Sequence, residues 1–345
     1  PVDSLRDVKD LLGRIAGCML GKPVEGRSRT DINALLEHAG AYPLSDYFPP
    51  IDPVPEGHRY PRPDSPVLRG NIARGVRDDD TDYTLLGLHI IAEDGRDFTS
   101  ADVGNQWMAH FPYHCVYTAE RVAYRNLVAG LVPPDTARFR NPYREWIGAQ
   151  IRADLWGYVN PGNPELAAEY AYRDASLSHV KNGIYGEMFF SALLAAGFAA
   201  HSLDEAIDAA LSEVPANCRF AEAVRDVRAW ADESEDWSVT WDKIRDKYGH
   251  YHGVHTINNA AVVIMGLSHS GGDFEKAICI SVMAGLDTDC NGATAGSVMG
   301  LMLGAAQLPE KWIAPLNDRL QSALVGMTDC RISDLAERTV RLTQT

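Results

Sequence analysis

"CNGATAGSVMGLMLGAAQLP", residues 290–309, decides the fold: it is a run without a single charge. A segment of that length can cross the hydrocarbon of a bilayer. Asn291 and Gln307 interrupt it, Asp287 and Asp289 crowd its start, and no comparable anchors flank it, so we read a helix of protein core. Its glycines indicate how that core packs. Gly292, Gly296, Gly300 and Gly304 recur every fourth residue, as do Gly13, Gly17 and Gly21 in "GRIAGCMLG" (13–21). Residues i and i+4 share one helix face. Glycine costs up to about 1 kcal/mol at an interior helix position, so a repeat needs a compensating gain, which close approach of another helix supplies. The two striped helices are expected to be buried neighbours.

Working outward from them, helical periodicity dominates. It is read over residues 8–21, 83–95, 101–111, 186–201, 202–214, 219–234, 241–249, 258–269, 273–285 and 309–324. Ser202 with Glu205 three residues on, and Thr99 or Ser100 before the 101 helix, are start signals. Convincing β-alternation is nearly absent, and the expected fold class is all-α. Two segments break the pattern. Residues 40–70 hold eight prolines, and their tyrosines with Phe48 point to a packed loop over a site rather than a free linker. Residues 132–165 are rich in Pro, Gly and aromatics. Neither brings a composition shift, so residues 1–345 are expected to form one domain.

Composition narrows the function. The 345 residues carry 47 acids against 32 bases, a formal charge of −15. That argues against nucleic-acid backbone binding, which needs a basic face. The six cysteines are scattered, with no CxxC pair, which predicts reduced thiols and a cytoplasmic protein. The first ten residues are charged and lead into no long apolar run, so no secretory signal is read.

The chemistry concentrates in two acidic stretches, "RDDDTDYT" (77–84) and "GLDTDCNG" (285–292), each opening an apolar helix. They either cap two helices independently, complementing the dipoles, or converge as hard oxygen ligands for Mg²⁺ or Mn²⁺. Convergence without a cation is costly, because crowded carboxylates raise one another's pKa. Glu25, just past the first striped helix, is either a solvated helix-end acid or a cleft acid. "HYHGVHTINN" (250–259) has HxxH spacing at His252 and His255, but no HExxH and no nearby cysteine, so zinc is not expected. GxSxG elbows and P-loops are absent too.

Four stretches, "GRIAGCMLGKPVEG", "DDDTDYTLLGL", "SLSHVKNGIYG" and "DFEKAICISVMAGLDTDCNGATAGSVMG", occur in order from about residue 8 to 306. Together they resemble the ADP-ribosylglycohydrolase family of the dinitrogenase-reductase-activating type. The resemblance implies a compact, orthogonal all-helical bundle with two Mg²⁺ or Mn²⁺ ions at the base of a cleft. It implies hydrolysis of the C1″ ribosyl bond of an ADP-ribosylated protein side chain or small molecule. It places the family's hydroxyl–Asp–Asp–Thr motif on Asp78, Asp79, Asp80 and Thr81, with aspartate in the hydroxyl position. Its Asp-x-Asp-Thr motif falls on Asp287, Asp289 and Cys290, where cysteine replaces threonine and offers a soft ligand poorly matched to Mg²⁺. Glu25 takes the place of the family's cleft glutamate, so Glu25, Asp79 and Asp289 are the catalytic candidates. His179 matches a Ser-His segment near the ribose. Gly148, Ala149, Gln150 and Arg152 match only part of a phosphate-binding loop that usually carries an asparagine. Trp156 and Tyr158 either stack on a base or pack, and His255 is a candidate substrate contact. The altered loop leaves open a nucleoside- or nucleotide-directed N-glycoside hydrolase, and beyond that a binding-only protein of the same fold.

Overall fold

The computed structural model describes residues 10–304 and 307–343. Helix α1 (Asp10–Gly21) leads through a short 3-10 turn to α2 (Arg29–His38) and, past the proline-rich stretch, to α3 (Asp79–Asp94) and α4 (Ser100–His110). Next come α5 (Thr118–Val128), the short α6 (Asp135–Arg138) and α7 (Ala153–Tyr158), and then α8 (Pro164–Ala175) with α9 (Asn182–Gly197). Helix α10 (Leu203–Ser212) packs on α9, α11 (Arg219–Asp232) and α12 (Trp237–Tyr248) pack on α13 (Thr256–Ser268), and α14 (Phe274–Met283) and α15 (Thr288–Leu303) pack on α13 and on each other. The chain closes with α16 (Glu310–Ile313), the paired strands β1 (Arg319–Gln321) and β2 (Asp329–Arg331), and α17 (Ile332–Thr343).

Helices α1 and α15 are the central pair. A methyl group at Gly13 would overlap the Gly296 carbonyl, one at Gly17 the Gly292 carbonyl, and one at Gly21 the Thr288 carbonyl. The stripes therefore bring two backbones into direct contact, the gain that offsets their helix penalty. Gly300 continues this face, but Gly304 does not: it ends α15 with φ +73°, a left-handed cap that glycine adopts without strain. Residues 290–300 of the uncharged run are buried core, and residues 301–304 are half-buried. No helix among the described residues is long and apolar enough to cross a membrane.

Helix starts follow the local chemistry. Thr99 and Asp102 form a reciprocal capping box at α4, and the Ser202 hydroxyl accepts from Glu205 N at α10. One expected helix fails. Residues 309–324 form only α16 and a 3-10 turn, because Pro315 is followed by Asn317 and Asp318 at φ +50° and +55°, and β1 begins at Arg319. Six helices outside the expected spans are α2, α5, α6, α7, α8 and α17. The proline-rich stretch has no regular elements, yet Tyr47, Phe48 and Leu68 are buried in it, and the Tyr47 hydroxyl donates to the Trp312 carbonyl at 2.7 Å. All six cysteines are free thiols.

The glycine contact can be tested by stability. Gly17→Ala should lower unfolding free energy by about 1–3 kcal/mol through overpacking of α1 on α15. Gly253→Ala, where an added methyl meets nothing within 4 Å, should change it by less than about 0.5 kcal/mol. Equal effects in urea denaturation would contradict the backbone contact.

Candidate metal centre

The α1–α15 contact sets two helix ends side by side: the last turn of α1 leads to Glu25, and the first turn of α15 carries Asp287 and Asp289. Thr288 Oγ1 donates to the Gly21 carbonyl at 2.8 Å. The following loops then pair, Gly26 N to Leu286 O at 3.0 Å and Leu286 N to Arg27 O at 3.2 Å. Gly285, at φ +82°, lies so close to Arg27 that a side chain would clash. That pairing places the Glu25, Asp287 and Asp289 carboxylates within 4.8 Å of one another. Asn259, in the first turn of α13, fixes the opposite side: its Oδ1 accepts from Asp287 N at 3.2 Å and from Asn291 Nδ2 at 2.9 Å.

Helix α3 delivers the other acids. Asp78 caps it, accepting from Asp80 N at 3.1 Å. Arg14, fully buried on α1, donates through Nε to the Asp80 carbonyl at 2.8 Å and through its terminal nitrogens to Asp80 Oδ1 and Asp154 Oδ2 at 3.2 and 2.6 Å. Asp80 thus comes within ligand distance of Asp289 and Cys290, and also of Asp78 and Cys18. The two acidic segments, some 200 residues apart in the chain, share one cradle. Asp79 stands beside it, partly exposed at the start of α3. Thr81 turns its hydroxyl to the Asp78 carbonyl at 3.1 Å.

Charge in this cradle is poorly balanced. Burial, reinforced by neighbouring carboxylates, holds Asp79, Asp80 and Asp289 well above the ordinary carboxylate range. Burial and the Glu25 charge push Asp287 up to about 7. Glu25 is accessible at the mouth, and the protein around it, together with Asp78, raises its carboxyl too. Asp78 is the exception: burial opposes ionisation, but an ion pair with Lys22 outweighs it and lowers the pKa. Lys22 also donates to the Arg77 carbonyl at 3.0 Å. The extra negative charge in the motif's hydroxyl position is therefore met by a cation from α1's own exit turn.

Hard-cation ligation fits these residues. Asp80 Oδ2 and Asp289 Oδ1 are buried with no hydrogen-bond partner among the described residues, a costly state for a carboxylate that a cation relieves. Asp78, Asp80, Asp287, Asp289 and Glu25 supply the oxygen atoms. Cys290 and Cys18 also reach the cluster, but burial and the surrounding carboxylates raise both thiols well above their usual range. Both therefore stay protonated and offer weak ligation.

A groove opens nearby. Arg77, immediately before Asp78, donates to the Tyr117 hydroxyl at 3.0 Å and to Asp82 at 2.7 Å. Tyr117 lines a cavity of about 480 Å³ with Tyr113, Arg121, Arg125, Tyr143 and Trp146. His252 stacks on Trp146 at 4.3 Å between ring centres, and the backbone of Trp146 pairs with that of His255. Burial pulls His255 down to about 4, so it is neutral near pH 7, and its Nδ1 accepts from Ile257 N at 3.2 Å.

The residues expected to bind phosphate lie elsewhere. Gly148, Ala149 and Gln150 are buried, and Gln150 Oε1 accepts from Thr256 at 2.8 Å. Arg152 is 2% exposed and meets Asp174 at 2.8 Å, Glu120 at 3.0 Å and Glu187 at 3.5 Å. Trp156 stacks on Phe98 at 4.9 Å and donates to Glu187 at 2.9 Å. His179 is buried against Ser178 at 2.8 Å, and burial and Arg152 keep it well below its usual pKa. Tyr158 meets Asp154 and Ser297 in the interior. In this conformation these side chains hold the bundle together rather than facing the cradle. Lys22, Arg14 and Asn259, which do shape the cradle, had no motif of their own. Their signal was position, beside the glycine stripe and in the first turn of α13.

Residues 8–345 match the family model described as ADP-ribosylglycohydrolase. Among solved structures, the chain is similar to one titled "ADP-ribosylglycohydrolase-related protein complex", at 18% identity and a TM-score of 0.61, over 99% of this chain and 98% of that one. That likeness carries the fold. A search of curated proteins finds no significant match.

Two outcomes are expected. Carboxyls raised in the folded state hold protons that the unfolded chain has already released. Metal-free stability should therefore fall as pH rises from about 4 through about 7. Mn²⁺ should raise Tm by more at about pH 8 than at about pH 5.5, while Asp289→Asn should raise the metal-free Tm at the higher pH and lose the Mn²⁺ increment. An undiminished increment in that variant, followed by calorimetry, would contradict the cradle. Arg152→Met should cost about 3–5 kcal/mol by leaving three buried carboxyls without a cation. A folded variant with normal stability and a raised KM would instead place Arg152 at the substrate.

Proposed function

Because the chain belongs to the ADP-ribosylglycohydrolase family, we propose that it hydrolyses the C1″ ribosyl bond of an ADP-ribosylated side chain or ADP-ribose-like small molecule at the acidic cradle, with two divalent ions, Mg²⁺ or Mn²⁺. The observation that carries this reading is the convergence of Asp78, Asp80, Asp287 and Asp289 with Glu25, including two buried carboxylate oxygens without partners. Bound there, divalent ions would supply charge for orienting the ribose diol and an attacking water.

The protein's own residues supply the rest. Asp79, beside the cradle and partly exposed, is placed to face the ribose, and a cation held by the neighbouring carboxylates would favour its ionised form, which can offset developing oxocarbenium character. Glu25 is accessible at the mouth, and its carboxyl, raised by the surrounding protein and Asp78, is placed for proton exchange, as base toward water or acid toward the leaving group. The aromatic groove beyond Arg77 offers Tyr117, Tyr143 and Trp146 to a base and Arg121 and Arg125 to phosphates, which supports an ADP-ribosyl ligand. Neutral His255 lies on the same side. The protein would act inside the cytoplasm as a single domain, without nucleic-acid or membrane partners.

A second reading draws on the burial of Gly148, Ala149 and Gln150. With that loop inside the bundle, a nucleoside or nucleotide N-riboside becomes the rival substrate. The deciding assay follows release of free ADP-ribose from ADP-ribosyl-arginine and ADP-ribosyl-serine, and of base from nucleosides, with Mg²⁺, Mn²⁺ or EDTA. Metal-dependent ADP-ribose release is expected, with Asp79→Ala and Asp289→Ala each reducing kcat by at least about 100-fold. Nucleoside turnover alone would favour the rival. Full activity of either variant would overturn the cradle mechanism.

A further inference from the structure

A larger cavity, about 730 Å³, opens between the start of α4, the end of α8 and the start of α9. It lies apart from the cradle. Thr99, on its wall, follows the far end of α3, and a helix of 16 residues separates its ends by about 24 Å. No cradle acid lines it.

Its charge runs against that of the chain. Arg138, Arg144, Arg173 and Lys181 line it, and no carboxylate does, although the protein carries a net −15. Arg138 and Lys181 are exposed and make no ion pair among the described residues. Arg144 donates to the Asn141 carbonyl at 2.9 Å, which leaves its charge unneutralised. Only Arg173 is committed, to Glu169 and to the carbonyls of Arg96 and Phe98. Of the nearby acids, Glu145 accepts from Asn182 at 2.8 Å and Asp102 closes the α4 capping box, while Asp135, exposed one turn before Arg138, does not line the cavity. The 16-residue helix α9 begins at this cavity with no side-chain cap and no acid in its first turn, which adds to the positive potential. Apolar surface is present as well. Val132, Pro134 and Ile184 line the cavity, and the Tyr172 ring is 54% exposed.

We propose that this cavity binds a nucleotide. Its phosphates meet Arg138, Arg144 and Lys181, whose guanidinium and ammonium groups suit phosphate oxygens. Its base packs on Tyr172 beside Ile184. The volume lies within the range of small-molecule sites, about 300–1,000 Å³. Binding requires no metal and none of the cradle acids, so the site is independent of the hydrolytic reading.

The test is isothermal titration of the whole protein in EDTA with ADP, pyrophosphate and adenosine as probes. In the Arg121→Glu, Arg125→Glu background, which removes the phosphate contacts of the groove beside Tyr117, ADP is expected to bind one to one, with affinity falling as ionic strength rises. The double variant Arg138→Glu, Lys181→Glu changes two exposed side chains, and circular dichroism checks its fold. It should weaken ADP and pyrophosphate by at least about tenfold. Tyr172→Ala should weaken ADP and leave pyrophosphate unchanged. Asp289→Ala should leave ADP binding intact. No saturable ADP binding, or binding indifferent to the charge reversal, overturns the site. Loss of ADP binding in Asp289→Ala places the ligand in the cradle instead. Pyrophosphate binding with no effect of Tyr172→Ala on ADP refutes a nucleotide and leaves only an anion site.

Discussion

The backbone contact between α1 and α15 is the constraint on which the rest of the molecule depends. Two glycine faces let the helices meet carbonyl to Cα, closer than any side chain permits. One consequence is burial, since a helix as apolar as α15 needs a partner along its whole length. The other is positional. The end of α1 and the start of α15 are locked together by Thr288 on Gly21, so the loops beyond them pair and Glu25 reaches Asp287 and Asp289. Arg14, on the same α1, then ties Asp80 to that junction. Fold and site share one origin.

The site uses part of the stability this packing provides. Carboxylates from α3, α15 and the α1 exit turn are gathered where water is scarce, and most have raised pKa values as a result. The positive N-termini of α3 and α15 offset some of that repulsion, and Lys22 neutralises Asp78. Asp80 and Asp289 still present oxygens with no partner. Such crowding is unfavourable without a cation, in keeping with the proposed metal role. The second buried charge cluster is a contrast. Around Arg152, one guanidinium satisfies Glu120, Asp174 and, more distantly, Glu187, so that network is structural.

Much of this was legible in the sequence. The four-residue glycine spacing identified the central helix pair, and two Asp-rich helix starts identified both halves of the cradle. These signals are strong because each is local and its residue types have few other uses. Tertiary partnership was not legible. Nothing near Arg152 in sequence indicates that its partners are buried carboxyls, nor near His179 that its ring is buried against Ser178. Gly304 continued the stripe by spacing, yet a left-handed cap has the same residue preference. The run 309–324 kept helical periodicity although Pro315, Asn317 and Asp318 end it. Helix α8 went unread because it buries Ala167, Ala168, Ala171 and Tyr170, a face with little hydrophobic contrast.

The central claim is that two distant acidic segments form one divalent-metal cradle. The most direct measurement is a crystal structure of the protein soaked in Mn²⁺, with anomalous difference density recorded near the manganese edge. The account predicts peaks among the carboxylates of Asp80, Asp287, Asp289 and Glu25. Density at other acids, or none at the cradle under saturating Mn²⁺, would contradict it.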